Sequence, residues 1–105
     1  MNEYNGYSSI DLVRLLGERF KTYRLRLQLT QKEVAEKAGL SPLTIHRFEN
    51  GKAPNLSLSV FLLLMKTIGI IDNIDKMLPT LDKSPYLYSD NYKTVQRIKH
   101  KKETT

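Results

Sequence analysis

Residues 31–51, QKEVAEKAGLSPLTIHRFENG, constrain the fold more than any other stretch of this chain. Thr30 and Glu33 form a capping-box pattern that opens a helix. Gly39 is placed to end that helix, because glycine adopts the left-handed backbone conformation without steric cost. A Ser-Pro pair then opens a second helix, and an Asn-Gly pair stops it. The stretch therefore predicts two short helices joined by a tight turn.

The second of these helices has one apolar face and one polar and basic face. Ser41 is its N-cap and Pro42 its first helical residue. Ile45 and Phe48, three residues apart, are expected to point inward. The side chains left on the outside are Leu43, Thr44, His46 and Arg47. This layout is how small proteins place side chains in the major groove of DNA, although an αα-hairpin without a DNA role is the alternative.

The chain resembles the Cro/lambda-repressor-like helix-turn-helix domains, also called the Xre family. The resemblance covers roughly residues 12–78 and is carried by the pattern LTQ...A...G.S..TI...ENG. It implies an all-α, five-helix lambda-repressor-like bundle whose second motif helix is the recognition helix. It also implies a structural ion pair between Arg24 in the first helix and Glu49 of the ENG sequence.

The same resemblance implies a set of DNA-binding residues. Gln31, Asn50 and Lys52 are expected to contact the phosphate backbone, and Ser41 belongs to the set as the cap of the recognition helix. The positions expected to read bases are Pro42, Leu43, Thr44 and Arg47, with His46 at the margin. Pro42 departs from the polar residue that frequently occupies its position. Neither Pro42 nor Leu43 has a side chain that hydrogen-bonds a base edge, so we expect contact with a thymine methyl group instead.

Composition excludes several other classes of function. The chain has 105 residues, enough for one domain, and no cysteine, which removes disulfides, thiolate zinc sites and cysteine nucleophiles. His46 and His100 have no partners at metal-ligand spacing, and neither a glycine-rich phosphate loop nor a catalytic triad is visible. We therefore expect no enzyme activity and no cofactor or metal. Without a signal peptide or membrane span, a cytoplasmic location is expected.

The net charge of +6 is unevenly distributed. Residues 1–82 carry eleven Lys and Arg against nine Asp and Glu, whereas residues 83–105 carry six against two. A basic surplus favours polyanions through counterion release, but it also serves solubility.

Apolar spacing predicts the remaining organisation: a flexible N-terminus at 1–8, the helix-turn-helix domain at 9–78 and a basic C-terminal extension at 79–105. The first helix is expected from Ser8 or Ser9 to Gln28, with an inward stripe of Ile10, Val13, Leu16, Phe20, Tyr23 and Leu27. A fifth helix is expected over residues 71–78, ended by Pro79.

The fourth helix is expected over residues 56–68 and is unusually apolar. Its expected core face is Leu58, Phe61, Leu62, Met65 and Ile68. Leu56, Val60, Leu63 and Leu64 are left around the remaining surface, so we expect the C-terminal segment, a second copy or a partner to cover them. The extension itself is open to three interpretations: a basic arm on DNA, a segment covering helix four, or a docking element for another protein.

Two functional hypotheses follow from the sequence. The first is a sequence-specific DNA-binding transcriptional regulator, acting as a repressor that binds a palindromic operator as a homodimer. The alternative is an antitoxin-type interaction module that neutralises a partner toxin and regulates its own promoter, since the ending of the chain resembles HipB-type regulators.

Overall fold

The computed structural model describes residues 3–81, and the predicted C-terminal extension lies outside the described residues from position 82 onward. This part of the chain is all-α, with five α-helices and no strands, as the sequence predicted. The helices are α1 (Ser9–Arg26), α2 (Gln31–Ala38), α3 (Pro42–Glu49), α4 (Leu58–Thr67) and α5 (Ile74–Met77). Short 3-10 helices cover Glu3–Gly6 and Ile71–Asn73.

The described part of the chain divides into two units after residue 71. The first unit contains α1 to α4 and the second contains α5. The predicted fifth helix is wrong in its extent, because residues 71–73 are 3-10 and only Ile74–Met77 is α-helical. Four residues make too short an α-helix to be stable without packing.

Side-chain caps begin each of the first four helices. Thr30 Oγ1 accepts from the backbone N–H of Glu33 at 3.0 Å, and the Glu33 carboxylate accepts from the N–H of Thr30 at 2.8 Å. This is the capping box that the sequence predicted for α2. Ser8 and Asp11 form a second capping box at α1, while Ser41 and Ser57 cap α3 and α4. The cap at Ser57 starts α4 two residues later than expected.

The same four helices all end in the Schellman arrangement, in which a backbone N–H donates to the carbonyl oxygen five residues earlier. The residue immediately before each donor has a positive φ: Gln28, Gly39, Gly51 and Gly69. The closing bonds are Leu29 to Arg24, Leu40 to Ala35, Lys52 to Arg47 and Ile70 to Met65. Three of the donors are aliphatic and pack on the core, whereas the residue after α3 is an exposed lysine.

The core of the first unit is built where α1, α2, α3 and α4 converge. Its buried members are Phe20, Val34, Ala35, Ile45, Phe48, Leu64 and Ile68. The predicted inward stripe of α1 is only partly right. Phe20 is buried and Val13 packs partly against the core, but Ile10, Leu16, Tyr23 and Leu27 are exposed. The inner face of α1 is narrower than the apolar spacing suggested, because Gly17 and the buried Arg24 occupy its centre.

The predicted core face of α4 also needs correction. Leu64 was expected outside the core but is fully buried, whereas Leu58 was expected inside and is 67% exposed. Leu58 is the first residue of α4, and the first residue of this helix that packs against the core is Val60. Leu56, which precedes α4, and Val60 within it pack partly against the core, so the first unit itself covers part of the apolar surface that was expected to need another cover.

Candidate nucleic-acid interface

The position of α3 is set by its close approach to α1. Gly17 is buried in α1, and a Cβ atom at this residue would overlap the carbonyl oxygen of Phe48. Only glycine therefore permits the two backbones to come this near. The Phe48 ring continues the contact, with its centroid 5.6 Å from that of Phe20 and 6.2 Å from that of Phe61.

A buried ion pair fastens the C-terminal end of α3 to α1, as the family resemblance implied. Arg24 Nε donates to Glu49 Oε2 at 2.6 Å and Arg24 Nη2 donates to Glu49 Oε1 at 2.8 Å. Arg24 Nη1 also donates to the carbonyl oxygen of Leu29 at 2.8 Å. Buried charges of this kind are tolerated because each is paired and hydrogen-bonded.

The hydrogen bonds to Glu49 raise the pKa of the Arg24 guanidinium above its ordinary value. When folding raises the pKa of a cationic group, the resulting stabilisation of the folded state is complete at pH values below the ordinary pKa. The stabilisation is lost only as the pH rises past the pKa of the folded state. The guanidinium of Arg24 therefore keeps its charge throughout the neutral and moderately basic range.

Gln31 lies at the first position of α2 and is half-buried. Its Nε2 donates to Glu49 Oε1 at 3.0 Å, so the start of α2 is tied to the same carboxylate as α1. One amide hydrogen and the amide oxygen of Gln31 have no partner within the described residues. Arg24, Gln31 and Glu49 thus join three helices at one point.

The face of α3 that points away from α1 carries the residues expected to read bases. Leu43 is 53% exposed, His46 and Arg47 are exposed, and Thr44 is half-buried. Ser41 and Pro42 are exposed at the start of the helix, where Ser41 Oγ accepts from the N–H of Leu43 at 3.0 Å. The predicted base-reading residues therefore share one accessible surface.

The residues that follow α3 lie at the end of that surface. Asn50 Nδ2 donates to the carbonyl oxygen of His46 at 2.9 Å and lies 3.2 Å from His46 Nδ1. These contacts fix both side chains on the last turn of α3. The N–H of Lys52 donates to the carbonyl oxygen of Arg47 at 2.8 Å, which leaves the exposed lysine side chain next to the helix end.

Arg14 belongs to the same surface and was missed by the sequence reasoning. Its side chain lies over Gly51, where a Cβ would come within 2.8 Å of Arg14 Cγ and 3.1 Å of Arg14 Nε. Arg14 Nη1 donates to Asp11 Oδ1 at 3.0 Å, and the arginine side chain remains half exposed. No local pattern identifies this contact, because it joins the first turns of α1 to the turn after α3.

The sequence that contains α2, the turn and α3 matches a known protein family. A family model described as a helix-turn-helix domain aligns with residues 15–73. The chain belongs to the helix-turn-helix domain family. No curated protein matches it. Membership supports a DNA-binding protein. Members of this family are typically non-enzymatic.

Within residues 3–81, no helix combines the length and apolar character needed to cross a membrane. In the same part of the chain, His, Cys, Asp and Glu side chains form no group of three that could hold a metal ion.

Proposed function

We propose that this protein is a sequence-specific transcriptional regulator of the Cro/lambda-repressor-like type that reads the DNA major groove with α3. The observation that carries the proposal is the exposed outer face of a short helix whose inner face is fixed by Gly17 and Arg24. A helix held rigidly in place is suited to base reading, because side chains that contact base edges must keep their positions to discriminate between bases.

Arg47 is the residue we assign to a direct base contact, most naturally with the O6 and N7 atoms of guanine. Thr44 and His46 supply hydrogen-bonding groups on the same face. Pro42 and Leu43 supply apolar surface suited to a thymine methyl group.

The phosphate backbone is held on both sides of α3. At the start of α2, the Gln31 side chain can donate its remaining amide hydrogen to a phosphate. The backbone N–H groups of the first turn of α2 also attract anions. Past α3, Lys52 and Asn50 form a second contact, and we add Arg14 to it because its side chain lies over Gly51 beside Lys52. Arginine and lysine position a protein on the duplex without reading its sequence.

A homodimeric repressor is the form of regulator that we favour. One chain offers one recognition helix, and two copies would read half-sites about 34 Å apart, one turn of DNA. Occupation of a promoter by the dimer would block transcription. We place this activity in the cytoplasm, and we propose residues 9–78 as the DNA-binding domain, with residues 79–105 as an added basic extension.

Selection of random duplexes by the purified full chain, followed by sequencing at near-physiological salt, tests this proposal. We expect a two-fold palindrome with half-sites one helical turn apart. Absence of any enriched sequence, with binding that disappears as salt rises, would mean backbone contact alone and would refute sequence reading.

The alternative function is an antitoxin-type module that neutralises a toxin and binds its own promoter. The observation that favours it is Leu58, which is 67% exposed at the start of α4, because burial of this side chain against a protein partner would be favourable. Expression of the chain alone distinguishes the two. A stable dimer that resists protease favours the autonomous regulator, and an aggregating monomer that proteases cleave readily favours the missing partner.

A further inference from the structure

A second accessible surface lies on α1, and it has no part in the proposed DNA contact. We call it the distal face and define it by Tyr4, Arg19, Thr22, Tyr23 and Arg26. The last four residues line a shallow cavity of about 270 Å³. Arg19 Nη2 donates to the Tyr4 hydroxyl oxygen at 3.0 Å, which fastens the N-terminal 3-10 helix to α1.

Helix geometry places this face opposite α3. Gly17 and Arg24 contact α3 through Phe48 and Glu49. Arg19 follows Gly17 by two positions, and Arg26 follows Arg24 by two positions. Two positions correspond to a rotation of about 200° around the helix axis. Both arginines therefore point away from α3, and a duplex held by the outer face of α3 is on the other side of the unit.

The residue types on and beside the distal face are those that concentrate binding energy in protein interfaces. Tyrosine and arginine are enriched at interface centres because they combine large apolar area with directed hydrogen bonds. Beside them on α1, Leu16 is 38% and Leu27 49% exposed, and Tyr23 within the face is 44% exposed. The face is thus partly apolar and positively charged.

Charge decides which occupant fits. Neither Arg19 nor Arg26 has a carboxylate partner within residues 3–81. The C-terminal segment 83–105, with six Lys and Arg against two Asp and Glu, would bring more positive charge to this face. A second copy placed symmetrically would oppose the same two arginines. We propose that the distal face binds an acidic, partly apolar segment of a different protein.

A nucleic acid fits this face less well. Arg19 and Arg26 are about 10 Å apart along α1. Two positive charges are few compared with the roughly six to ten phosphate contacts that give nucleic-acid binding its strength. The tyrosines and leucines beside them instead match a helix that presents acidic groups seven residues apart with leucine between them.

The test uses the full chain and a defined probe, a short acetylated alanine-based helical peptide carrying two Glu-Glu pairs seven residues apart with leucines between them. We expect amide NMR shifts confined to residues 19–26 and the Tyr4 region. The double variant Arg19→Glu/Arg26→Glu should weaken peptide affinity about tenfold or more. The matched charge reversal Lys66→Glu/Lys76→Glu, at exposed residues of α4 and α5, should change it less than about twofold.

Three results would overturn the proposal. The first is that the peptide does not bind the folded wild-type chain, or that it shifts the amide signals of lysines and arginines throughout the chain. The second is equal competition by single-stranded oligo-uridine, which would make the face a nucleic-acid site. The third is loss of a wild-type dimer in Arg19→Glu/Arg26→Glu, which would assign the face to self-association. Duplex affinity measured in parallel reports separately on the proposed function, since the distal face lies away from α3.

Discussion

Arg24 and Glu49, on α1 and α3, form a doubly hydrogen-bonded ion pair in which both carboxylate oxygens accept from the guanidinium. The same Glu49 carboxylate also accepts from Gln31 at the start of α2. One buried carboxylate therefore fixes three helices of the candidate DNA-binding surface. The geometry of this surface therefore depends on a pair that is itself buried beneath it.

Removal of one partner of this pair should be strongly destabilising. Arg24→Met leaves Glu49 buried without its counter-charge, and we expect a loss of about 3–5 kcal/mol in the free energy of unfolding. Arg24→Met/Glu49→Leu, which removes both charges, should recover most of that loss. Urea denaturation of the three proteins measures the effect, and a loss below about 1 kcal/mol for Arg24→Met would contradict the role of the pair.

Gly17→Ala should destabilise the protein by forcing α1 and α3 apart. Its methyl group would overlap the carbonyl oxygen of Phe48, which belongs to backbone and cannot rotate away. Overpacking of this kind costs about 1–3 kcal/mol. Gly6→Ala is the matched control, since a Cβ there has open space. Equal urea midpoints for the two variants would show that the helices do not approach as closely as described.

Arg47→Ala should relax specificity at one base pair of the selected site. Loss of a bidentate contact with guanine costs about 1–3 kcal/mol of binding and removes the preference for that base. The measurement is affinity for the selected duplex and for its single-base variants. A uniform loss on every sequence would instead make Arg47 a phosphate contact.

Lys52→Ala and Arg14→Ala should weaken binding to all sequences and flatten its salt dependence. Each phosphate contact contributes about one unit to the slope of log affinity against log salt concentration. Arg26→Ala is the control for Arg14→Ala, because it removes the same charge from the face of α1 opposite α3. If all three variants keep the wild-type slope, neither Lys52 nor Arg14 neutralises a phosphate.

Gln28→Gly should stabilise the protein. Gln28 has φ of 60° between α1 and α2, a conformation that costs a residue with a side chain about 1 kcal/mol relative to glycine. The gain should be a few tenths to about 1 kcal/mol, because glycine also loses more entropy on folding. Gln28→Ala, which keeps the left-handed strain, should show no such gain in urea denaturation.

Local signals in the sequence were sufficient for the caps and turns of α2 and α3. Thr30, Gly39 and Ser41 each act on backbone groups a few residues away, so their meaning can be read without the fold. The Arg24–Glu49 pair was accessible only through the family resemblance, since its partners are distant in sequence.

Features that depend on helix crossing could not be read from periodicity. The apolar spacing of α1 suggested a broad inner face, but Gly17 brings α3 so close that Leu16 and Tyr23 are left outside. The contact of Arg14 with Gly51 was hidden for the same reason. Periodicity specifies which residues share a face of a helix, and the crossing decides how much of that face is buried.

Amide NMR of the isotope-labelled full chain, titrated with its selected duplex, tests the central claim most directly. We predict perturbations along the outer face of α3 from Leu43 to Arg47, at Gln31, and around Lys52 and Arg14. The distal face at Arg19 and Arg26 should not respond. Perturbation centred on the distal face, with the outer face of α3 unchanged, would contradict the assignment of α3 as the helix that reads DNA.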